Sequence, residues 1–275
     1  MVTLSAFADE IHPDLTVQMD ELEKNGIRYI ELRGVDGKNV KDLGKDEVKR
    51  IKEQLDQRGF GISSIGSPIG KIGIQDDFGP HFDDFKRIVD TALALSSKYI
   101  RIFSFFIPAG DDPKYFRDDV MERISRFVEY VEGTGVILLH ENEKGIYGDT
   151  GERNLDILRT IDSPLLRAVF DPANYVQCKE HPYEDCFTKV QEYVAYVHIK
   201  DALLENGRVV PAGAGDGDVK RVLAELFKAG FDGFLSLEPH LQAAGTMSGF
   251  SGPDLFKVAV DALKSILKEL DVMWS

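Results

Sequence analysis

Short apolar runs alternate with amphipathic segments from one end of the chain to the other. The amphipathic segments, such as LTVQMDELEKNG and KDEVKRIKEQLDQRG, have the apolar spacing of helices that cover a core. The apolar runs have the length and composition of buried strands. Eight strands are predicted in this way, at residues 4–8, 29–32, 61–66, 99–105, 135–141, 166–171, 196–200 and 233–238.

Glycines lie at the ends of several amphipathic segments. Gly26, Gly59, Gly135 and Gly230 follow amphipathic segments, where a glycine can end a helix in the left-handed conformation without a Cβ penalty. Eight strand-helix units in 275 residues average about 34 residues each, which is the size of one βα module. Strict alternation of the two element types predicts parallel strands joined by right-handed crossovers. We therefore predict a single α/β domain over residues 1–275, a (β/α)8 TIM barrel.

An open doubly wound sheet is the competing architecture. Its usual mark is a GxGxxG turn after the first strand, and this chain has none there. The glycine-rich stretch AGAGDGD at 212–218 follows the seventh run instead, and its aspartates would repel phosphate. We interpret this stretch as a loop.

Composition and charge narrow the function. With 43% hydrophobic and 29% charged residues, the chain can bury a large core. The 33 Lys and Arg against 47 Asp and Glu leave a formal charge of -14, which repels polyanions, so nucleic acid is not an expected partner. No run approaches the length of a membrane span, and the N-terminus lacks the pattern of a signal peptide. We expect a cytoplasmic protein without membrane contact, in which Cys178 and Cys186 form at most one disulfide.

The last four predicted strands end in chemically informative residues, namely Glu141, Asp171, His198 and Glu238. Their spacings of 30, 27 and 40 residues are each close to one βα module, so the side chains should converge at the carboxyl-terminal mouth of the barrel. Taken singly, such residues are often helix N-caps or satisfied polar groups. Gathered together, three carboxylates repel one another unless a cation intervenes. Three oxygens and an imidazole suit one divalent metal ion, Mn²⁺, Zn²⁺, Co²⁺ or Mg²⁺.

The motifs that carry these residues, HENE, FDPAN, VHIKDA, PAGAGDGD and SLEPH, make the chain resemble the sugar isomerase/epimerase family with the xylose-isomerase-like barrel. FADE and IELR near the N-terminus extend the resemblance over nearly the whole chain. The resemblance implies that the four strand-end residues bind the metal. It implies carbohydrate metabolism, with isomerisation or epimerisation of a ketose or hydroxy-ketone, phosphorylated or not. Proton abstraction would give a metal-stabilised cis-enediolate, with Glu141 and Glu238 as the acid/base pair.

Further residues are candidates for binding the sugar. Lys200 lies two residues after His198 on the same strand face and could donate to a substrate oxygen, although a salt bridge to a neighbouring acid is equally compatible with its position. Glu143 lies two residues after Glu141, and His240 lies two residues after Glu238. Each should therefore lie on the same strand face as the glutamate before it. His140, next to Glu141, should point into the helical layer and be structural. The remaining candidates lie in loops or after a strand: Lys71, Tyr147 and Asn174.

Asn174 is a departure from the family pattern, since many ketose epimerases carry histidine at this position. An amide can hydrogen-bond a hydroxyl but holds no charge, which weakens a simple ketose 3-epimerase assignment. A keto-polyol dehydratase of the inosose dehydratase type, sharing the metal and the first proton abstraction, is therefore the main alternative. An endonuclease IV-like phosphodiesterase would need more histidine and aspartate ligands for several metal ions, and a basic face for DNA. The chain has six histidines and an acidic net charge, which disfavour this function. An inert sugar-binding barrel is disfavoured by the complete set of strand-end acids, and a homo-oligomer is possible.

Overall fold

The computed structural model describes residues 1–244 and 249–275, and in it eight parallel strands close into a barrel. The strands are β1 (Thr3–Ala6), β2 (Tyr29–Leu32), β3 (Gly61–Ile65), β4 (Tyr99–Ile102), β5 (Ile137–Glu141), β6 (Leu166–Phe170), β7 (Val194–Ile199) and β8 (Phe234–Leu237). Their order around the barrel follows the chain, and β8 closes the ring by pairing with β1. The predicted (β/α)8 fold is confirmed, and each of the eight predicted strands is present.

α-Helices of six or more residues connect the strands in the described part of the chain. They are α1 (Leu15–Lys24), α2 (Lys45–Arg58), α3 (Phe78–Ala94), α4 (Arg117–Val131), α5 (Gly151–Ile161), α6 (Pro172–Gln177), α7 (Val219–Lys228) and α8 (Gly252–Glu269). A six-residue π-helix lies at Pro182–Phe187, and shorter helical turns lie at Ala8–Glu10, Val40–Asp42, Pro113–Phe116, Thr188–Val190 and Gln191–Tyr193. Two-residue strands pair as Gly34–Val35 with Lys38–Asn39, Asp201–Ala202 with Val209–Val210, and Ala243–Ala244 with Gly249–Phe250.

Local sequence explains where these helices begin and end. The carboxylate of Asp14 accepts the backbone N–H of Val17 and caps the start of α1. Gly59 ends α2 in the left-handed conformation at a φ of 69°, as its position predicted. Each such stop turns the chain back to the next strand, which keeps the strands parallel.

Strand β4 is shorter than predicted because the chain leaves the barrel after Ile102. The N–H groups of Phe103 and Phe105 donate to the carbonyls of Ile69 and Gly70 in the preceding βα loop rather than continuing the barrel. Gly70 has a φ of 90°, and a Cβ there would lie 2.1 Å from the carbonyl oxygen of Phe103. Glycine is thus required where these two loops meet at the mouth.

The principal core lies between the barrel and its helices, as in other two-layer α/β folds. Phe85 of α3 packs against Phe127 of α4, with their ring centroids 4.4 Å apart. The barrel interior holds a smaller cluster of Leu139, Val169 and Tyr196. These interior residues form the layer on which the mouth is built.

Both cysteines are free thiols, so the disulfide left open by the sequence does not form. Burial raises the pKa of Cys178 to about 12. Within residues 1–244 and 249–275, none of the helices combines the length and apolarity needed to cross a membrane.

Candidate metal centre

The four strand-end residues converge at the mouth of the barrel, as predicted. Nδ1 of His198 lies 3.4 Å from Glu141 Oε1, 3.8 Å from Asp171 Oδ2 and 3.6 Å from Glu238 Oε2. One potential ligand atom from each of the four side chains lies within 4.8 Å of the others. All four residues are buried. We call Glu141, Asp171, His198 and Glu238 the strand-end cluster.

The strand-end cluster fits a divalent cation. Nδ1 of His198 is buried and makes no hydrogen bond within the described residues, although three carboxylates face it. Burial lowers the pKa of His198, but Glu31 and Glu141 outweigh burial and raise its pKa well above the usual value. Three carboxylate oxygens and one imidazole nitrogen form a mixed donor set that Zn²⁺, Mn²⁺, Co²⁺ and Mg²⁺ can all use. The cluster can therefore hold one ion.

Lys200 lies directly beside the cluster. Its Nζ is 2.7 Å from Asp171 Oδ2 and 2.9 Å from Glu238 Oε2. Of the two alternatives that the sequence left open, the structure shows the salt bridge. Because Lys200 is buried with these two carboxylates, its ammonium offsets part of their repulsion.

Two arginines hold the two glutamates from the other side. Nη1 of Arg101 lies 3.1 Å from Glu141 Oε2, and Nη1 of Arg33 lies 3.1 Å from Glu238 Oε1. Both guanidiniums lie over the ring of Phe7, at 4.7 Å for Arg33 and 5.0 Å for Arg101. These pairings could not be predicted from the sequence, because the two residues of each pair come from different strand-helix units.

Both guanidiniums also donate hydrogen bonds to other groups of the protein. Arg33 also donates to both oxygens of Asp9, at 2.8 and 3.1 Å. Arg101 donates to the carbonyls of Gly66 and Ser67. The arrangement therefore suits anchoring of the two glutamates better than capture of an anionic substrate group.

These cations keep the two glutamates ionised. Burial raises the pKa of Glu141, but His198 and Arg101 outweigh burial and lower it to about 2. Burial likewise opposes ionisation of Glu238, while Lys200 and His240 hold its pKa well below the usual value. Both side chains are thus acceptors at neutral pH, as ligands or proton-abstracting groups require.

Asn174 and His240 contact the cluster directly. Asn174 donates from Nδ2 to Glu141 Oε1 at 3.0 Å. Its backbone N–H donates to Oδ1 of Asp171, the N-cap residue of α6, at 2.9 Å. His240 Nε2 lies 3.4 Å from Glu238 Oε1 and 3.1 Å from Glu10 Oε1. Burial lowers the pKa of His240, but Glu238 and Glu10 raise it to about 9.

The other predicted sugar-binding residues are engaged elsewhere. Lys71 and Glu143 pair with each other at 3.0 Å, and Lys71 also lies over the ring of Phe103. The Tyr147 hydroxyl donates to Asp156 Oδ2 of α5 at 2.6 Å. Their binding of sugar stays a prediction.

His140 lies on the helical side of β5. Its Nδ1 is 3.1 Å from Asn154 Oδ1 of α5, which is the structural position expected from its parity. Burial lowers its pKa to about 4, so the ring is neutral at physiological pH.

The glycine-rich stretch is a loop, as predicted, and Asp201 organises it. The Asp201 carboxylate accepts the backbone N–H groups of Gly213, Gly215 and Gly217 at 2.8 to 3.1 Å, and also that of Ala202. A Cβ on Gly217 would lie 2.6 Å from this carboxylate and 3.1 Å from Pro172, the residue after Asp171. The loop therefore packs closely behind one member of the cluster.

Replacing Asp201 by alanine should destabilise the protein by about 3 kcal/mol or more, because several buried N–H groups would lose one charged acceptor. Urea unfolding measures this loss. Asp216→Ala is the matched control, since the Asp216 carboxylate accepts the Leu204 N–H at the exposed end of the same loop. Equal losses in the two variants would contradict the proposed anchoring by Asp201.

Comparison with known proteins agrees with this architecture. Residues 19–266 match the family model described as "Xylose isomerase-like TIM barrel". No curated protein sequence matches the chain significantly. Solved structures do match, among them a D-tagatose 3-epimerase-like protein at 20% identity and a TM-score of 0.78, with 98% of each chain covered.

Two further solved structures also match, and their descriptions name a probable dehydratase in one case and a bound zinc atom in the other. The probable 3-DHS dehydratase AsbF from Bacillus anthracis is 18% identical with a TM-score of 0.75, covering 96% of this chain and 99% of that one. An IOLI protein with a bound zinc atom is 16% identical with a TM-score of 0.73, and 98% of each chain is covered. At these identities the structures share the fold. The family model spans most of the chain, and the protein belongs to the xylose isomerase-like TIM barrel family.

Proposed function

We propose that this protein is a divalent-metal-dependent isomerase or epimerase of a ketose or hydroxy-ketone. One observation carries the proposal: two buried, ionised glutamates face the same histidine nitrogen from different parts of the barrel. Strands β5 and β8, which position Glu141 and Glu238, are separated by β6 and β7. A substrate between the two glutamates would meet a carboxylate on each side.

Glu141, Asp171, His198 and Glu238 would hold the ion. Lewis-acid polarisation of a substrate carbonyl is the chemistry that a bound Mn²⁺, Zn²⁺, Co²⁺ or Mg²⁺ supplies at such a site. The neighbouring C–H then becomes acidic enough for a carboxylate to remove its proton. That requirement matches the ionised state of both glutamates.

The two glutamates divide the proton transfer. One removes a proton from the carbon beside the carbonyl, and the other returns a proton to the opposite face, which inverts that carbon. Return to the neighbouring carbon gives isomerisation instead. Asn174 and Arg101 hold Glu141, while Arg33 and Lys200 hold Glu238, so each carboxylate is oriented before the substrate binds.

A dehydratase acting on a keto-polyol is the second candidate. A specific observation favours it: Lys200 and His240 place two cationic donors beside Glu238. After proton removal, a cationic donor next to the β-carbon could protonate a departing hydroxyl. A structural neighbour described as a probable 3-DHS dehydratase has the same barrel fold, which supports this candidate.

Incubation with Mn²⁺ in heavy water tests both candidates. We expect a ketose, hydroxy-ketone or inosose substrate to acquire one deuterium at the carbon beside its carbonyl, and NMR of the recovered sugar identifies that carbon. Isomerisation and epimerisation conserve the composition of the substrate, whereas dehydration removes one water, which mass spectrometry detects. Absence of exchange across such a substrate panel in a protein shown to bind the metal would contradict the proposed proton abstraction.

A further inference from the structure

We propose that Glu31 is a positioning residue for the metal centre, orienting the His198 ring so that Nδ1 faces the strand-end cluster. The inference rests on the proposed metal site and adds a residue outside its four ligands. Glu31 lies within β2, on the strand YIEL, which supplies none of the four cluster residues and is separated from β8 by β1. Its contact with His198 spans 167 residues of sequence.

The geometry at His198 is asymmetric. Nε2 lies 3.3 Å from both carboxylate oxygens of Glu31. Nδ1, on the other side of the ring, faces Glu141, Asp171 and Glu238. A hydrogen bond at one imidazole nitrogen determines which nitrogen keeps its lone pair for a ligand. Donation from Nε2 to Glu31 therefore leaves Nδ1 for the ion.

The burial of Glu31 needs a charged or hydrogen-bonding partner. Only 1% of its surface is exposed, at a position where barrels usually carry branched apolar side chains. A buried carboxylate is costly unless it is paired. His198 is the partner that the structure provides, and Oε2 of Glu31 makes no hydrogen bond to any other described residue. Orientation of His198 accounts for an acid at this place.

The aromatic neighbours of His198 cannot perform this selection. Phe7 packs edge-on at 5.1 Å and Tyr196 at 5.9 Å, which restricts the plane of the imidazole. A 180° flip of the ring about the Cβ–Cγ bond would exchange Nδ1 with Cδ2 and Nε2 with Cε1, with little effect on such contacts. The carboxylate of Glu31 distinguishes the two orientations because it can accept the hydrogen bond of Nε2–H in only one of them.

Zinc binding and histidine NMR together test the proposal. Protein labelled with ¹⁵N-histidine would be loaded with Zn²⁺, and its affinity measured by competition with a chelating dye. In the unaltered protein we expect His198 to show a zinc-bound Nδ1 and a protected Nε2–H. Glu31→Leu should lower the Zn²⁺ affinity by about 10- to 100-fold and abolish that Nε2–H signal. Glu31→Gln, which keeps a carbonyl acceptor, should retain the signal and more of the affinity.

Ser64→Ala is the matched control, since Ser64 is buried in β3 as the register neighbour of Glu31. It should bind Zn²⁺ like the unaltered protein. Failure of the unaltered protein to bind Zn²⁺ would refute the metal site itself. Normal binding by Glu31→Leu, with an unchanged Nε2–H signal, would refute the role of Glu31 alone. If Glu31→Leu does not fold, Glu31→Gln decides, because an unshifted Nε2–H resonance would show that Glu31 is not its acceptor.

Discussion

Replacing Glu238 by glutamine is expected to slow substrate deuterium exchange by about 10²- to 10⁴-fold, the usual contribution of a general acid or base. The amide keeps the size of the side chain and one oxygen, but it cannot accept a proton at neutral pH. The variant should still bind Mn²⁺, because Glu141, Asp171 and His198 remain, but its affinity should be lower. Exchange rates at saturating metal separate the two effects.

The matched control is Glu269→Gln, the same change at an exposed glutamate of α8 that pairs with Lys220. It should exchange deuterium at the unaltered rate. Glu141→Gln should slow exchange by a similar factor for the opposite epimer, because each glutamate abstracts the proton of one of the two epimers. Near-normal exchange of both epimers in either cluster variant would refute the acid/base assignment.

Removing the divalent ion with a chelator is expected to abolish exchange and to lower the melting temperature. Three carboxylates of the strand-end cluster face one another in a buried site, and a bound cation stabilises only the folded arrangement. Linkage gives about 2.7 kcal/mol of stabilisation at a free metal concentration 100 times the Kd. For a protein of this size the melting temperature should therefore rise by about 5 °C when Mn²⁺ is restored, which calorimetry measures.

Asp171→Asn provides the comparison for this experiment. Asparagine can still accept the Asn174 N–H at the start of α6, so the helix keeps its cap while the cluster loses one charge. The variant should show a smaller Mn²⁺-dependent rise in melting temperature. An equal rise in both proteins would place the stabilising ion elsewhere.

Much of this protein followed from its sequence. The alternation of apolar runs and amphipathic segments predicts the barrel, because parallel strands joined by helices must close or cover both faces. The convergence of Glu141, Asp171, His198 and Glu238 also followed, since the carboxyl ends of the strands meet at one mouth. Even the position of His140 could be deduced, because adjacent strand residues point to opposite faces.

Only the tertiary structure decided which charged groups meet. Arg33 holds Glu238 across 205 residues, and Lys71 meets Glu143 across 72. Strand parity predicts the face on which a side chain lies, but barrel closure and stagger determine its neighbour across the mouth. Glu31 shows this limit best: within YIEL it looks like one polar residue in an apolar strand, and its contact with His198 exists only because β2 and β7 enclose the same interior.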